Sequence, residues 1–534
     1  MQVERDGPVS GGASLVRQLR AEGVDVVFGL PGDQLMAALD AFVDVPEIRF
    51  VVTRHEQATT YMADGYARAS GRPGVAMVVP GVGVYNAGAG LATAYACSSP
   101  VLLLAGQVNR AGIGRDLGLL HDVHDQLELV RPITKWAARA TRADEIAPTV
   151  HKAFVLMRSG RPRPVEVEMP PEAFTEPVTG AVPIEPEPRQ PVIPAQDDLE
   201  RAAEVLASAT APLMVAGGGV VLGDASAAFV ALAERLQAPV ITTREGKGAI
   251  DDRHALSVGT MWVNRRLQPA IDAADVVLAV GTRFQGFGLS PRQRLVHLDV
   301  DPGQIGRNHP ADVAVTGDAD LALRALAELV PRAGGSRAEE ATARRRATES
   351  ELRDVGPQAA MVDALRAGVP EDGILVCDTT TVAYMCHMLY PVYAPRTYLS
   401  TSYMGTLGFG FPAALGVKLA RPGRPVVTVV GDGGFLFAAS ELATAVQHGI
   451  HTVTVVFDDG AYGNSNRDQR EKFGGRELGT VLHNPDWVQL ARAYGAEGVV
   501  VRDLEQLAKT IRAACEAETS TVIAVPMERL PSAF

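Results

Sequence analysis

A chain of 534 residues is too long for one hydrophobic core, and the usual size of domains predicts roughly three. Its 47% hydrophobic and 21% charged residues are those of a globular protein, and no apolar run is long and uncharged enough to span a membrane. A net charge of −12 with no basic stripe argues against nucleic acid as a partner and leaves small molecules.

Glu4, Arg5 and Asp6 precede the first helix without an apolar stretch, so no secretory signal is expected. Cys97, Cys377, Cys386 and Cys515 are scattered without metal-ligand spacing, as reduced thiols would be, and the expected location is cytoplasmic. The first segment, about residues 8–180, alternates helical patterns with short apolar strands at 24–28, 49–53, 74–79 and 101–105. Such alternation implies a parallel, doubly wound α/β sheet. Two of its strand ends carry acids. Asp33 lies in Pro31-Gly32-Asp33-Gln34 and Glu56 in Arg54-His55-Glu56-Gln57, at the mouth of an alanine-rich helix. Alone, Glu56 could simply favour the helix dipole and Asp33 could cap the next helix.

Near residue 180 the composition shifts to Pro183, Pro186, Pro188, Pro191 and Pro194, a run short of backbone donors that reads as a surface linker. The middle segment, about 195–345, has strands at 212–215, 240–242, 276–280 and 295–298. Its Gly217-Gly218-Gly219 followed by Gly223 is a loose dinucleotide-type turn, weak evidence by itself. A charged helical stretch, 337–346, connects to the third segment, about 354–534.

There a strand at 374–376 runs into Asp378-Thr379-Thr380-Thr381, hydroxyls that could cap a helix or meet a ligand. A second strand, 425–430, ends in Gly431-Asp432-Gly433-Gly434; a helical stretch from 435 to 449 follows, and a third strand, 452–457, ends in Asp458-Asp459-Gly460. In this βαβ unit Asp432 and Asp459 meet at the tips of adjacent strands. Gly433 and Gly434 let a ligand approach the backbone, and the N–H groups opening the helix suit phosphate oxygens. Hard oxygen ligands beside a phosphate-binding turn describe a Mg²⁺–diphosphate site.

This spacing resembles the diphosphate-binding motif of thiamine diphosphate (ThDP) enzymes, which runs from Gly-Asp-Gly to a pair usually written Asn-Asn. The second Asn is Asp459 here, which keeps an oxygen donor and adds a charge. Phe28-Gly29-x-Pro31-Gly32, Arg54-His55-Glu56, Asp64-Gly65-Tyr66-Ala67-Arg68, Gly81-x-Gly83-x-x-Asn86 and Ala105-Gly106-Gln107 resemble the pyrimidine-binding domain of the acetolactate synthase and benzoylformate decarboxylase group. The resemblance implies three doubly wound parallel-sheet domains, pyrimidine-binding at 8–180, central at 195–345 and diphosphate-binding at 354–534.

The same resemblance implies roles for individual residues. Glu56 would hydrogen-bond a pyrimidine nitrogen of ThDP and so promote formation of its carbon nucleophile. Thr380 and Thr381 would bracket the diphosphate with Gly431, Asp432, Gly433 and Gly434. Asp432, Asp459 and the carbonyl of Ala461 would hold Mg²⁺, and Tyr462 and Gly463 would close over the diphosphate. In Met404-Gly405-Thr406-Leu407-Gly408-Phe409-Gly410, Leu407 would wedge between the two rings and the carbonyl of Gly405 would accept the exocyclic amine. FAD, bound by the central domain in acetolactate synthase, is not favoured, because Gln285-Gly286-Phe287 stand where FAD-containing enzymes carry acidic residues and an arginine.

Substrate residues are less constrained. Asp33 matches an acid/base position of the pyruvate decarboxylase branch, and His121 falls where acetolactate synthases place an aromatic pocket residue. His121 and His124 could shuttle protons or could face water in a loop. The expected reaction is decarboxylation of a 2-oxo acid followed by carboligation to a second carbonyl compound. The alternatives are plain decarboxylation to an aldehyde and, from another class, a catalytically silent scaffold or regulatory subunit. The family's arrangement implies a homodimer or homotetramer with active sites at subunit interfaces.

Overall fold

A computed structural model describes residues 8–263 and 266–532; Glu4, Arg5 and Asp6 lie outside the described residues. Among the described residues no helix is long and apolar enough to cross a membrane. The chain forms two compact units. One comprises residues up to Gln190 with Tyr403–Pro422 and Ala438–His451; the other comprises Pro191–Ser402, Gly423–Phe437 and the residues from Thr452 onward.

The first unit holds β1 (Val9–Ser10), β2 (Val26–Gly29), β3 (Arg49–Val52), β4 (Gly74–Val78), β5 (Val101–Gly106), β6 (Trp136–Arg139), β7 (Val165–Met169) and β8 (Pro177–Val178). β1 and β8 pair antiparallel, and the other six form a parallel sheet in the order β3-β2-β4-β5-β7-β6. β4 and β5 are near-continuous apolar runs because helices cover both faces of a parallel sheet. β7 escapes the sequence pattern for a physical reason. In β7, Glu166 and Glu168 alternate with valines as in a half-exposed strand, yet both glutamates are fully buried.

The helix Glu56–Ser70 is buried on nearly every side. It packs on Val82–Cys97 and on Gly410–Ala420, and at the second contact only glycine fits: a Cβ on Gly65 would overlap the Ala413 carbonyl, and one on Gly416 the Met62 carbonyl. Tyr61 and Phe409 meet edge-on at 5.5 Å beside this crossing. The edge strand β3 is sealed by the returning segment Ala438–His451. His448 Nε2 accepts from Val52 N at 3.0 Å, and Thr444 Oγ1 lies 3.3 Å from the Val52 carbonyl.

The second unit holds two parallel sheets. β9 (Pro212–Ala216), β10 (Val240–Thr243), β11 (Ser257–Met261), β12 (Val276–Val280), β13 (Arg294–Asp299) and β14 (Val313–Thr316) run in the order β11-β10-β9-β12-β13-β14. β15 (Ile374–Cys377), β16 (Tyr398–Ser400), β17 (Val426–Gly431), β18 (Val453–Asp458), β19 (Glu497–Val500) and β20 (Thr521–Pro526) run in the order β16-β15-β17-β18-β20-β19. The first and third sheets therefore share one winding scheme and the middle sheet has another. In the three sheets the winding first reverses between β2 and β4, β9 and β12, and β15 and β17, and ligands of open α/β sheets bind at such points.

One predicted element changes. The helix expected over 435–449 starts at Asp432, stops at Leu436, and resumes as a short turn, Ala439–Glu441, before Leu442–Gln447. The glycines that suggested a loop before the helix are themselves its first turn, which places Asp432 at the helix start.

Gly416→Ala should lower the midpoint of thermal unfolding, because backbone faces the new methyl and cannot yield. The expected cost is about 1–3 kcal/mol, read by denaturant unfolding; an unchanged midpoint would mean that the two helices do not meet there.

Candidate cofactor site

In the second unit the crevice between β15 and β17 collects the residues that the sequence singled out. β15 leads into Asp378 and Thr379; Thr380 precedes the helix Thr381–Leu389 without a side-chain capping bond, and Thr381 is its buried first residue. β17 ends at Gly431, whose α-carbon faces Thr380, with Thr380 Oγ1 3.1 Å from where a Cβ would stand. Gly434 faces Asp378 in the same way, at 3.3 Å. A Cβ on Gly433 would meet the Tyr462 ring at 2.6 Å, so the glycine lets the aromatic ring lie over the turn. Gly463 opens the helix Gly463–Lys472 against Asp459. Ala461 is buried, pairs with Val481, and donates its N–H to Asp459 Oδ1 at 3.2 Å.

Three carboxyls stand at the tips of β17 and β18, and one amide separates two of them. Asn484 Nδ2 donates to Asp432 Oδ2 at 2.6 Å and to Asp458 Oδ1 at 2.7 Å. Trp487 Nε1 donates to Asp458 Oδ2 at 2.6 Å. Burial pushes the Asp432 carboxyl up to about 6; Asn484 and the Gly433 N–H oppose this, while the charges of Asp459 and Asp458 add to it. Burial also raises Asp459, with Asp458 adding and the Ala461 N–H and Arg529 opposing.

In the first unit Glu56 is the first residue of its helix and is 7% exposed. Asn86 Nδ2 donates to its carboxylate at 3.0 Å, which gives a function to the last residue of the Gly81-x-Gly83-x-x-Asn86 motif. Asp33 is exposed at the β2 end and caps nothing: the cap position belongs to Gly32. Its neighbour Gln34 donates to the Leu120 carbonyl at 3.1 Å, which brings the loop bearing His121 to the same strand end. His121 is half-buried, with φ of 66°, and its carbonyl lies against Gly81, itself at φ of 55° where a Cβ would clash. His124 is exposed. Gly405, at φ of 62°, is exposed and Leu407 half-buried, and the neighbouring Thr406 Oγ1 meets Thr93 Oγ1 at 2.9 Å.

The crevice of the central sheet is built differently. Gly217 and Gly219 pack directly on Gly281, so backbone fills the gap between β9 and β12. Phe284 and Phe287 stack at 4.6 Å and are buried.

Comparison with known proteins agrees with these arrangements domain by domain. The N-terminal TPP binding domain, central domain and C-terminal TPP binding domain models of thiamine pyrophosphate enzymes match residues 9–129, 199–326 and 378–525. The chain is 36% identical to the probable 2-ketoarginine decarboxylase AruI of Pseudomonas aeruginosa, over 95% of this chain and 92% of that protein. It is 33% identical to a probable acetolactate synthase large subunit of Methanocaldococcus jannaschii, over 98% and 93%, and 31% identical to the acetolactate synthase isozyme 3 large subunit of Escherichia coli K12, over 95% and 92%. The chain belongs to the thiamine pyrophosphate enzyme family.

In this thiamine pyrophosphate enzyme of the acetolactate synthase type, the β15–β17 crevice fits a diphosphate carried by a divalent cation. Two carboxyls that burial and mutual repulsion drive towards protonation are the groups that a cation would relieve. Among the described residues no three acidic, histidine or cysteine side chains form a metal site by themselves. An ion here would use Asp432, Asp459, the Ala461 carbonyl and oxygens of the cofactor, the pattern that Mg²⁺ prefers. Asn484 and Trp487 were not legible in the sequence. The available signal was His483-Asn484-Pro485-Asp486-Trp487, in which Asp486 caps the helix Trp487–Ala493 by accepting from Val488 N and Gln489 N.

Two outcomes follow from this electrostatics. A cation must displace the proton from Asp432, so Mg²⁺-dependent ThDP affinity should fall with acidification through about 6, to roughly a tenth at about one pH unit below that value. Titration by quenching of intrinsic fluorescence checks this, and a flat profile would remove Asp432 from the ion. Asn484→Ala should weaken the same affinity by about 10–100-fold while leaving the far-ultraviolet circular dichroism unchanged; wild-type affinity would show that the shared amide is dispensable.

Proposed function

We propose that this enzyme uses ThDP and Mg²⁺ to decarboxylate a 2-oxo acid and to transfer the remaining acyl group to a second carbonyl compound. The observation that carries the reading is the pair Glu56 and Asn86: a buried carboxylate at a strand mouth, oriented by one amide donor. When bound, ThDP supplies a carbon nucleophile and an electron sink. Glu56 holds a proton at a pyrimidine nitrogen, and its low exposure strengthens that hydrogen bond as the ring gains charge. The carbonyl of Gly405 would receive the exocyclic amine, and Leu407 would pack against the cofactor's rings. Thr380, Thr381, Gly431, Gly433 and Gly434 bind the diphosphate, Asp432, Asp459 and the Ala461 carbonyl hold Mg²⁺, and Tyr462 and Gly463 cover them. The acetolactate synthase relatives support transfer to a second carbonyl compound, and the small-molecule substrates would reach active sites at subunit interfaces of a homodimer or homotetramer.

A second reading, release of an aldehyde, has one observation in its favour. The strand ends of the first unit expose Asp33 and His124 and half-bury His121, polar groups that a substrate would meet beside the exposed Leu120. The relative named as a probable 2-ketoarginine decarboxylase supports the same outcome.

The discriminating experiment offers pyruvate and bulkier or cationic 2-oxo acids to protein loaded with ThDP and Mg²⁺, follows carbon dioxide, and identifies the product. A hydroxyketone or acetohydroxy acid is the expected result, and an aldehyde alone would establish the second reading. Glu56→Gln should reduce turnover at least 100-fold and spare ThDP binding; undiminished turnover would overturn the role of Glu56. Failure to bind ThDP at all would favour the silent scaffold.

A further inference from the structure

Glu441 has no place in the chemistry described so far, although it is a glutamate with no exposed surface. It lies in the short turn Ala439–Glu441 of the segment that returns to the edge of β3. Its two carboxylate oxygens receive the N–H of Arg54 at 3.0 and 3.2 Å. The N–H of His55 also stabilises the carboxylate. Thr444 Oγ1 donates to Glu441 Oε2 at 2.6 Å. The next residue in the chain after His55 is Glu56.

The backbone from Val52 to His55 is therefore latched from one side by successive side chains of one segment: His448 and Thr444 on Val52, then Glu441 on Arg54 and His55. The Arg54 guanidinium adds a bond to Gln447 Oε1, and that of Arg49 one to the His448 carbonyl. On the other side, the His55 ring caps the helix by accepting from Gln57 N at 3.1 Å. An edge strand needs no buried charge to seal it, and water or a neutral side chain could satisfy the same N–H groups. A fully buried carboxylate is costly unless its donors hold it, and the donors here are the two peptide groups that set the direction of Glu56. Burial pushes the Glu441 carboxyl up to about 7, with the bonds from Thr444, Arg54 and His55 and the Arg54 charge opposing.

We propose that Glu441 is a positioning residue for Glu56, its carboxylate gripping the Arg54–His55 backbone so that Glu56 leaves the strand end in one fixed direction. This role rests on Glu56 acting on the pyrimidine of ThDP. In Glu441→Gln the side chain keeps its size, but an NH₂ group replaces one acceptor and faces backbone donors. Loss of the grip widens the range of directions open to Glu56 and leaves the diphosphate contacts untouched.

The test compares wild type, Glu441→Gln, Thr444→Val and Glu56→Gln. Hydrogen–deuterium exchange of the cofactor-free proteins reads the grip itself: peptides covering 52–58 should exchange at least tenfold faster in Glu441→Gln, with the remaining peptides unchanged. In the ThDP-loaded proteins the circular dichroism band of the imino form of the bound pyrimidine should weaken. kcat should fall about 10–100-fold while the ThDP dissociation constant moves less than threefold. Thr444→Val, which removes the hydroxyl that donates to Glu441 and lies against the Val52 carbonyl, should show the same effects more weakly, and it carries the test if Glu441→Gln does not fold. Faster exchange with a wild-type imino band and kcat would reduce Glu441 to an edge seal and overturn the proposal, as would unchanged exchange. Full turnover in Glu56→Gln would instead overturn the function assigned to Glu56, and the exchange result would still report whether the grip exists.

Discussion

Placing Asp432, Asp458 and Asp459 at the tips of two adjacent parallel strands sets the problem that the C-terminal part of the structure solves. Like charges this close repel, and burial removes the water that would screen them. The Asn484 amide lies between Asp432 and Asp458, and the Trp487 indole takes the remaining oxygen of Asp458. Asp458 is thereby fully used in structure. Asp432 and Asp459 keep unspent acceptor capacity and raised carboxyl pKa values. A site built to retain protonatable acids in the absence of a cation is also a site that gains from binding one.

Buried carboxylates recur in the first unit with the same logic. Glu168 accepts from Gln126 Nε2 at 2.8 Å, from Gln107 at 3.3 Å and from Arg139, while Gln126 also donates to the Gly106 carbonyl and accepts from Gly81 N. Burial first, and then the neighbouring Glu168, hold Glu166 well above the usual carboxylate range. The network ties the ends of β4, β5 and β7 to the segment that follows His121 and His124. Glu56 and Glu441 complete the set, one oriented by Asn86 and the other engaged by backbone N–H groups. Glu168, Glu56 and Glu441 keep their places because the fold brings them donors from elsewhere in the chain, whereas both oxygens of the buried Glu166 lack a hydrogen-bond partner among the described residues.

The winding scheme explains why the same kind of turn serves different ends. The sheets of the N- and C-terminal parts share one strand order, and their reversal points lie between β2 and β4 and between β15 and β17. There Gly81 and Gly433 admit a carbonyl and an aromatic ring respectively. At the corresponding point of the central sheet, Gly217, Gly219 and Gly281 use the same lack of a side chain to pack on one another. A glycine-rich turn after a strand thus marks a reversal point in all three sheets, but only the surrounding structure decides whether a ligand or the backbone itself occupies it.

The sequence by itself determined the class of fold, most strands and the glycine-rich turn at the end of β17. These depend on local features: apolar runs of strand length, glycines after them, and acids at fixed short distances from the turn. It also placed Glu56 at a helix mouth, since that mouth and the flanking motifs are contiguous. β7 was missed because alternating glutamates mimic a surface strand, and the helix start at Asp432 was missed because Gly433 and Gly434 read as loop although they are helical. Tertiary structure alone decided which donors satisfy each acid. Asn484 meets Asp432 from 52 residues away, and Glu441 meets Arg54 from 387. Such contacts leave no periodic trace in the chain, because they depend on the order in which parallel strands are wound and not on the spacing of residues along them.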